Sequence, residues 1–127
     1  MLYFIIFLGA GIGGALRHGV NVGAARMLGY GFPFGTLIVN VAGSFAMGLL
    51  AGYFAYRTGI NQHLRLFVTT GVLGGFTTFS AFSLETALLV ERHAYGQAAA
   101  YVVGSVLLSV LGVFAGLMLF RTSGHLP

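Results

Sequence analysis

The sequence predicts an all-α membrane protein with four transmembrane helices, the third broken in mid-membrane, paired as an antiparallel dual-topology homodimer. Three observations carry the four spans and the break; the pairing rests on the distribution of arginines taken up below. The 127 residues are 57% hydrophobic and only 6% charged, whereas a soluble domain carries about 25% charged residues; such a chain cannot cover itself with a wettable surface. Four apolar runs each reach the roughly 20 residues that cross a bilayer. The third run contains Gly74-Gly75-Phe76-Thr77-Thr78, a poor helix former, because glycine costs helix stability and threonine is stiff and bonds the backbone locally. Residues 1–127 read as one domain, without internal repeat or linker.

The first span is expected over residues 2–28, apolar to Leu16 and then carrying Arg17, His18 and Asn21. Gly9 and Gly13, with Ala10 and Gly14, have the small-xxx-small spacing of a tightly packed helix face. No basic leader or small-residue cleavage site marks this run as a signal peptide, so it is expected to be retained. Gly29-Tyr30-Gly31-Phe32-Pro33 forms the turn, and Pro33 suits a helix start. The second span covers residues 34–56, with Asn40 near mid-membrane and a second packing stripe of Ser44, Gly48 and Gly52.

A polar connection from Arg57 to His63 leads into the third span, residues 64–90. Glu91-Arg92-His93-Ala94-Tyr95 is the next loop, and the fourth span covers residues 96–120. In it Ser105 and Ser109 lie one helical turn apart, and Gly112 and Gly116 form a packing face. The tail is short and polar.

The basic residues are six arginines, against two glutamates, and there is no cysteine. The arginines are scattered singly, which argues against a nucleic-acid surface; the absence of cysteine excludes disulfides and thiolate metal sites. Four spans put both termini on one side, with Arg57, Arg65 and Arg121, leaving Arg26 and Arg92 on the other and Arg17 nearer to them. Orientation normally follows an arginine and lysine excess in cytoplasmic loops. Here the counts nearly balance, which predicts insertion both ways up and an antiparallel pair.

A break at Gly74–Thr78 frees backbone groups that hydrocarbon tolerates only inside protein or along a water-filled path. The carbonyl ends of a broken helix attract cations, and oxygen-only ligation without a nearby carboxylate favours a monovalent ion. The alternative is a glycine-rich packing notch in an intact helix. Phe79 and Phe82 follow, interleaved with Ser80 and Ser83. A phenyl edge is the positive end of the ring quadrupole, so these rings and hydroxyls can face an anion; equally, the rings can pack a helix interface. Asn40 is a pore donor or an interhelical tie. Arg17 either draws anions into a vestibule or snorkels to the interface. Glu85 pairs with an arginine or faces water. His18, His63, His93 and His125 form no metal constellation.

Gly35-Thr36-Leu37 followed by Asn40, the run Thr70-Gly71-x-x-Gly74-Gly75-x-Thr77-Thr78-Phe79-Ser80-x-Phe82-Ser83-x-Glu85, and Gly13 to Arg17 upstream together resemble the CrcB/Fluc fluoride channel family over essentially the whole chain. The resemblance implies an antiparallel homodimer with two fluoride pores and a structural sodium ion at its centre. The sodium is held by backbone carbonyls at the positions of Gly74 and Thr77 of both subunits. Phe79 and Phe82 match the pore-lining rings. Asn40, Ser80, Ser83 and Ser109 match polar contacts, and Arg17 matches a vestibule arginine. Ala81 departs from the threonine common in relatives.

The expected function is therefore passive export of toxic fluoride across a bacterial inner membrane, with the bilayer, fluoride and a second copy as partners and no nucleic acid. A small dual-topology multidrug exporter needs a membrane-buried carboxylate in the first span, which has Arg17 and no acid. A non-conducting membrane scaffold needs only the glycine faces and leaves the Phe/Ser track unused. An enzyme is not expected, since no nucleophile–base or metal set is present.

Overall fold

The computed structural model describes residues 1–55 and 59–120. Tyr56, at the expected end of the second span, and Arg57 and Arg121 of the charge count lie outside the described residues. The described chain is helical: α1 (Leu2–Leu28), α2 (Phe34–Ala55), α3 (Gln62–Leu66), a π-helical segment (Phe67–Leu73), α4 (Gly74–Phe76), α5 (Phe79–Glu91) and α6 (Tyr95–Phe120). Among the described residues four stretches are long and apolar enough to cross a membrane: α1, α2, Gln62–Glu91 and α6. At 1.5 Å per residue, the shortest of them, with 22 residues, exceeds a hydrocarbon core of roughly 30 Å.

Two helix pairs make the body, each joined where glycine removes a side chain. α1 packs on the π-helical segment and α4. A Cβ at Gly9 would lie 2.7 Å from the Phe67 carbonyl oxygen and 2.9 Å from Gly71 Cα; at Gly13 it would strike the Val72 carbonyl. Ala10 meets Gly75 across the same seam, whereas Gly14, expected on this face, has open space beside it. α2 packs on α6, where a Cβ at Gly116 would come within 2.6 Å of the Leu49 nitrogen and one at Gly48 would strike Val113. Lipid supplies no hydrophobic drive between helices, so this close backbone approach is what holds them.

The outward faces are apolar. Phe4, Phe7, Ile12 and Leu16 of α1 and Val103, Leu107, Leu111, Phe114 and Met118 of α6 are exposed, as expected where acyl chains are the solvent. Buried Leu89, Ala98 and Tyr101 form a small core between α5 and α6, with Phe32, Leu37 and Phe82 packed around it. At that end Arg92 straps the loops, donating to the Gly31 carbonyl and, at 3.3 Å, to Gln97 Oε1.

Helical geometry is interrupted between α4 and α5. Thr77 (φ −87°, ψ 159°) and Thr78 (φ −154°, ψ 123°) are extended. The π-helical turn just before them has no counterpart in the sequence reading; each residue so inserted shifts the helix face by about 100°.

Candidate functional site

The site is built on those two extended threonines. Asn40, the seventh residue of α2, pairs with Thr78 in both directions: its amide nitrogen donates to the Thr78 carbonyl at 3.0 Å, and its amide oxygen accepts the Thr78 N–H at 2.8 Å. An asparagine amide has one donor face and one acceptor face, so it matches an extended peptide as a neighbouring strand would.

The consequence falls on carbonyls. In an unbroken helix the Thr78 N–H would bond Gly74 O and the Ala81 N–H would bond Thr77 O. Here the first goes to Asn40 and the second to Thr78 Oγ1 at 3.1 Å, which caps α5. Gly74 O and Thr77 O therefore lose their helical donors. The Leu73 carbonyl, by contrast, accepts both the N–H and the hydroxyl of Thr77, at 3.1 and 3.0 Å. Gly75 O accepts from Arg17 Nε at 3.1 Å. Arg17, half-buried on α1, thus reaches across the seam to the end of α4. Among the described residues no group of three His, Cys, Asp or Glu is placed to hold a metal.

Beside the interruption runs a groove of about 400 Å³, walled by α2, the two threonines, the start of α5 and α6. Asn40, Phe79, Phe82 and Ser109 all line it. The Phe79 and Phe82 centroids are 5.6 Å apart with ring planes at 45°. Ser80 and Ser83 are exposed and lie off the groove wall; the Ser80 hydroxyl is 3.3 Å from that of Thr78. Phe79 is 77% exposed.

One member of the groove and one neighbour of it were not assigned to the site from the sequence. Ser105 lines the groove with a buried hydroxyl that has no hydrogen-bond partner among the described residues; its spacing of four from Ser109 was the available signal. Tyr101, fully buried, meets Phe82 with ring centroids 5.1 Å apart and planes tilted by 43°, and its hydroxyl donates to Glu85 Oε1 at 2.8 Å. Glu85 thus has a phenol for its partner, sixteen residues away across a loop.

Membrane-length helices around a largely apolar groove that also carries hydroxyls and one amide define a multi-pass membrane protein with a cleft between its helices. Residues 4–117 match the family described as CrcB-like protein, Camphor Resistance (CrcB). The chain is 58% identical over 121 residues, 95% of its length and 98% of the relative's, to the fluoride-specific ion channel FluC of Rhodopseudomonas palustris (strain BisB5). It is 62% identical over 120 residues, 94% and 96% of the two lengths, to the protein of that name from Methylobacterium nodulans. Fluoride-specific ion channel FluC 2 of Nitrobacter hamburgensis is 59% identical over 121 residues, 95% and 98% of the two lengths. The chain belongs to the CrcB family, a multi-pass bacterial membrane protein.

Proposed function

We propose that this protein is a passive fluoride-selective channel that lets fluoride leave the cytoplasm and so limits its toxicity. The observation that carries the proposal is the groove in which Phe79, Phe82, Asn40 and Ser109 meet, in a chain whose relatives are named fluoride-specific ion channels. Fluoride is small and strongly hydrated, so a pore must replace its water with donors. The Ser105 and Ser109 hydroxyls and the positive edges of Phe79 and Phe82 can supply them. Each contact is weak, which suits conduction, since an ion must bind well enough to enter and poorly enough to leave.

The working unit is an antiparallel homodimer with two pores. The face bearing Phe79, Ser80, Ser83 and Gly74 is exposed in one chain, and hydroxyls beside an interrupted helix are ill suited to lipid; a second copy covers it. There Ser80 and Ser83 become pore contacts. The Gly74 and Thr77 carbonyls of both subunits hold a structural sodium ion, a role that their loss of helical donors fits. Bound there, sodium supplies a fixed positive charge that ties the subunits together and offsets four partial negative charges. Arg17 fixes the neighbouring carbonyl of Gly75 and adds positive potential toward the vestibule. Neutral HF enters a cell, dissociates, and the trapped anion leaves down an interior-negative potential, so no energy-coupling machinery is needed.

Efflux from liposomes holding the purified protein tests the proposal: fluoride leaves and chloride stays. Equal release of both ions, or release of neither, would refute it.

A further inference from the structure

Where α2 ends and the third span begins, the structure leaves a slot of about 530 Å³. Met47, Ala51, Phe54 and Ala55 of α2 line one side of it, at the spacing of a single helix face, and Leu66 and Thr69 line the other. From Met47 to Ala55 is about 12 Å along the helix, close to the roughly 15 Å that the acyl chains of one leaflet fill. The slot is apolar through its inner length. The one hydroxyl among its lining residues, that of Thr69, is spent on the Arg65 carbonyl at 2.7 Å, so water or a hydrated ion would gain little by entering.

The same slot carries a cation. Arg65, the fourth residue of the Gln62–Glu91 span, also lines it and is exposed. Its guanidinium has no hydrogen bond or ion pair among the described residues. The chain's two glutamates, Glu85 and Glu91, stand twenty or more residues further along the same span, on α5 toward its opposite end.

An arginine near the end of a span, beside an apolar slot, complements a molecule with an anionic head and a hydrocarbon tail. Its planar fork pairs with phosphate, and basic pockets between spans draw anionic lipids. A helix of another protein suits the slot less well. Helices in lipid join where small residues let backbones meet, as Gly9 and Gly13 do on the α1 seam. Met47, Phe54 and Leu66 hold a neighbouring backbone away, and the flexible Met47 can adapt to a mobile chain.

We infer that this slot binds an anionic phospholipid, with the phosphate on Arg65 and one acyl chain lying between α2 and the third span. The inference goes beyond fluoride conduction and needs only the membrane-spanning fold.

Native mass spectrometry of the purified protein in detergent tests it, with added phosphatidylglycerol or with phosphatidylcholine of the same acyl chains. One retained phosphatidylglycerol per chain is expected, and weaker retention of phosphatidylcholine, whose headgroup has no net charge. Arg65→Gln should weaken retention of phosphatidylglycerol about fivefold, as expected of one arginine at an anionic lipid surface, and Arg65→Lys should restore most of it. Ala51→Phe fills the slot while leaving Arg65 in place, and should displace the lipid. Phosphatidylglycerol should raise the melting temperature of the unaltered protein and not that of Arg65→Gln. Melting curves also show which variants are folded; should Ala51→Phe fail to fold, the Arg65 variants and the comparison of headgroups decide. Equal retention of the two lipids, retention of neither, or undiminished phosphatidylglycerol on a folded Arg65→Gln or Ala51→Phe protein would overturn the site. So would an Ala51→Phe protein that loses its second copy and keeps its lipid, which would give the slot to a protein partner.

Discussion

The side-chain amide of Asn40 hydrogen-bonds the main chain of Thr78 in both directions, at 3.0 and 2.8 Å. A residue of α2 thereby takes the place of a helical turn in the next span. The pairing holds Thr78 extended and withholds its N–H from Gly74 O, so a single contact fixes the geometry beside the groove and leaves that carbonyl without its helical donor.

Asn40→Leu removes both bonds and leaves the half-buried Thr78 N–H and carbonyl without that partner. At about 1–3 kcal/mol for each buried group left unpaired, with partial access to solvent reducing it, the expected loss is about 2 kcal/mol. Asn40→Asp keeps the acceptor and loses the donor, and should fall between. Denaturant unfolding in detergent checks the order; equal stability of all three proteins would show that the pairing holds nothing.

Thr78 also caps α5 through its hydroxyl, which accepts the Ala81 N–H at 3.1 Å. Thr78→Val keeps the shape and loses the cap, at about 1 kcal/mol, while Thr78→Ser keeps it. Thermal melting of the pair should separate them by that margin.

Gly13→Ala drives a methyl into the Val72 carbonyl across the α1 seam, whereas Gly19 has open space around it. Overpacking of this kind costs about 1–3 kcal/mol. The Gly13→Ala protein should express poorly or melt early, and Gly19→Ala should match the unaltered chain. Indistinguishable melting curves would mean that the seam is looser than described.

The sodium site proposed at Gly74 and Thr77 predicts a sodium dependence. Dimer assembly, followed by size-exclusion chromatography or crosslinking, is expected to weaken when sodium is replaced by N-methylglucamine. Thr77→Leu, which favours continuous helix, should remove that dependence. Assembly indifferent to sodium in the unaltered protein would count against the Gly74 and Thr77 site.

The parts of this molecule that were legible in the sequence are those set by composition and spacing. Four apolar runs announce four spans, and Gly9 with Gly13, or Gly48 with Gly52, announces where helices touch, because small residues four apart share one face. Weak helix formers at Gly74–Thr78 mark where regular bonding is cheapest to give up. How the released groups are satisfied was not legible, since Asn40 and Arg17 come from other helices, 38 and 58 residues away from their acceptors. The π-helical turn at Phe67–Leu73 left no compositional trace either; it lies where the third span fits against Gly9 and Gly13. For the same reason the sequence offered Glu85 an arginine or water, and tertiary packing delivered Tyr101.

Phe79 gives the sharpest separation of function from folding, because it is 77% exposed in the single chain and adds little to its stability. The decisive measurement is therefore fluoride and chloride efflux from liposomes, run side by side on the unaltered protein and on Phe79→Ile. The channel account predicts rapid fluoride release without chloride release, cut about tenfold by the substitution, equivalent to about 1.4 kcal/mol in barrier height, with unfolding unchanged. Chloride passing as readily as fluoride, or full fluoride flux in a folded Phe79→Ile protein, would contradict it.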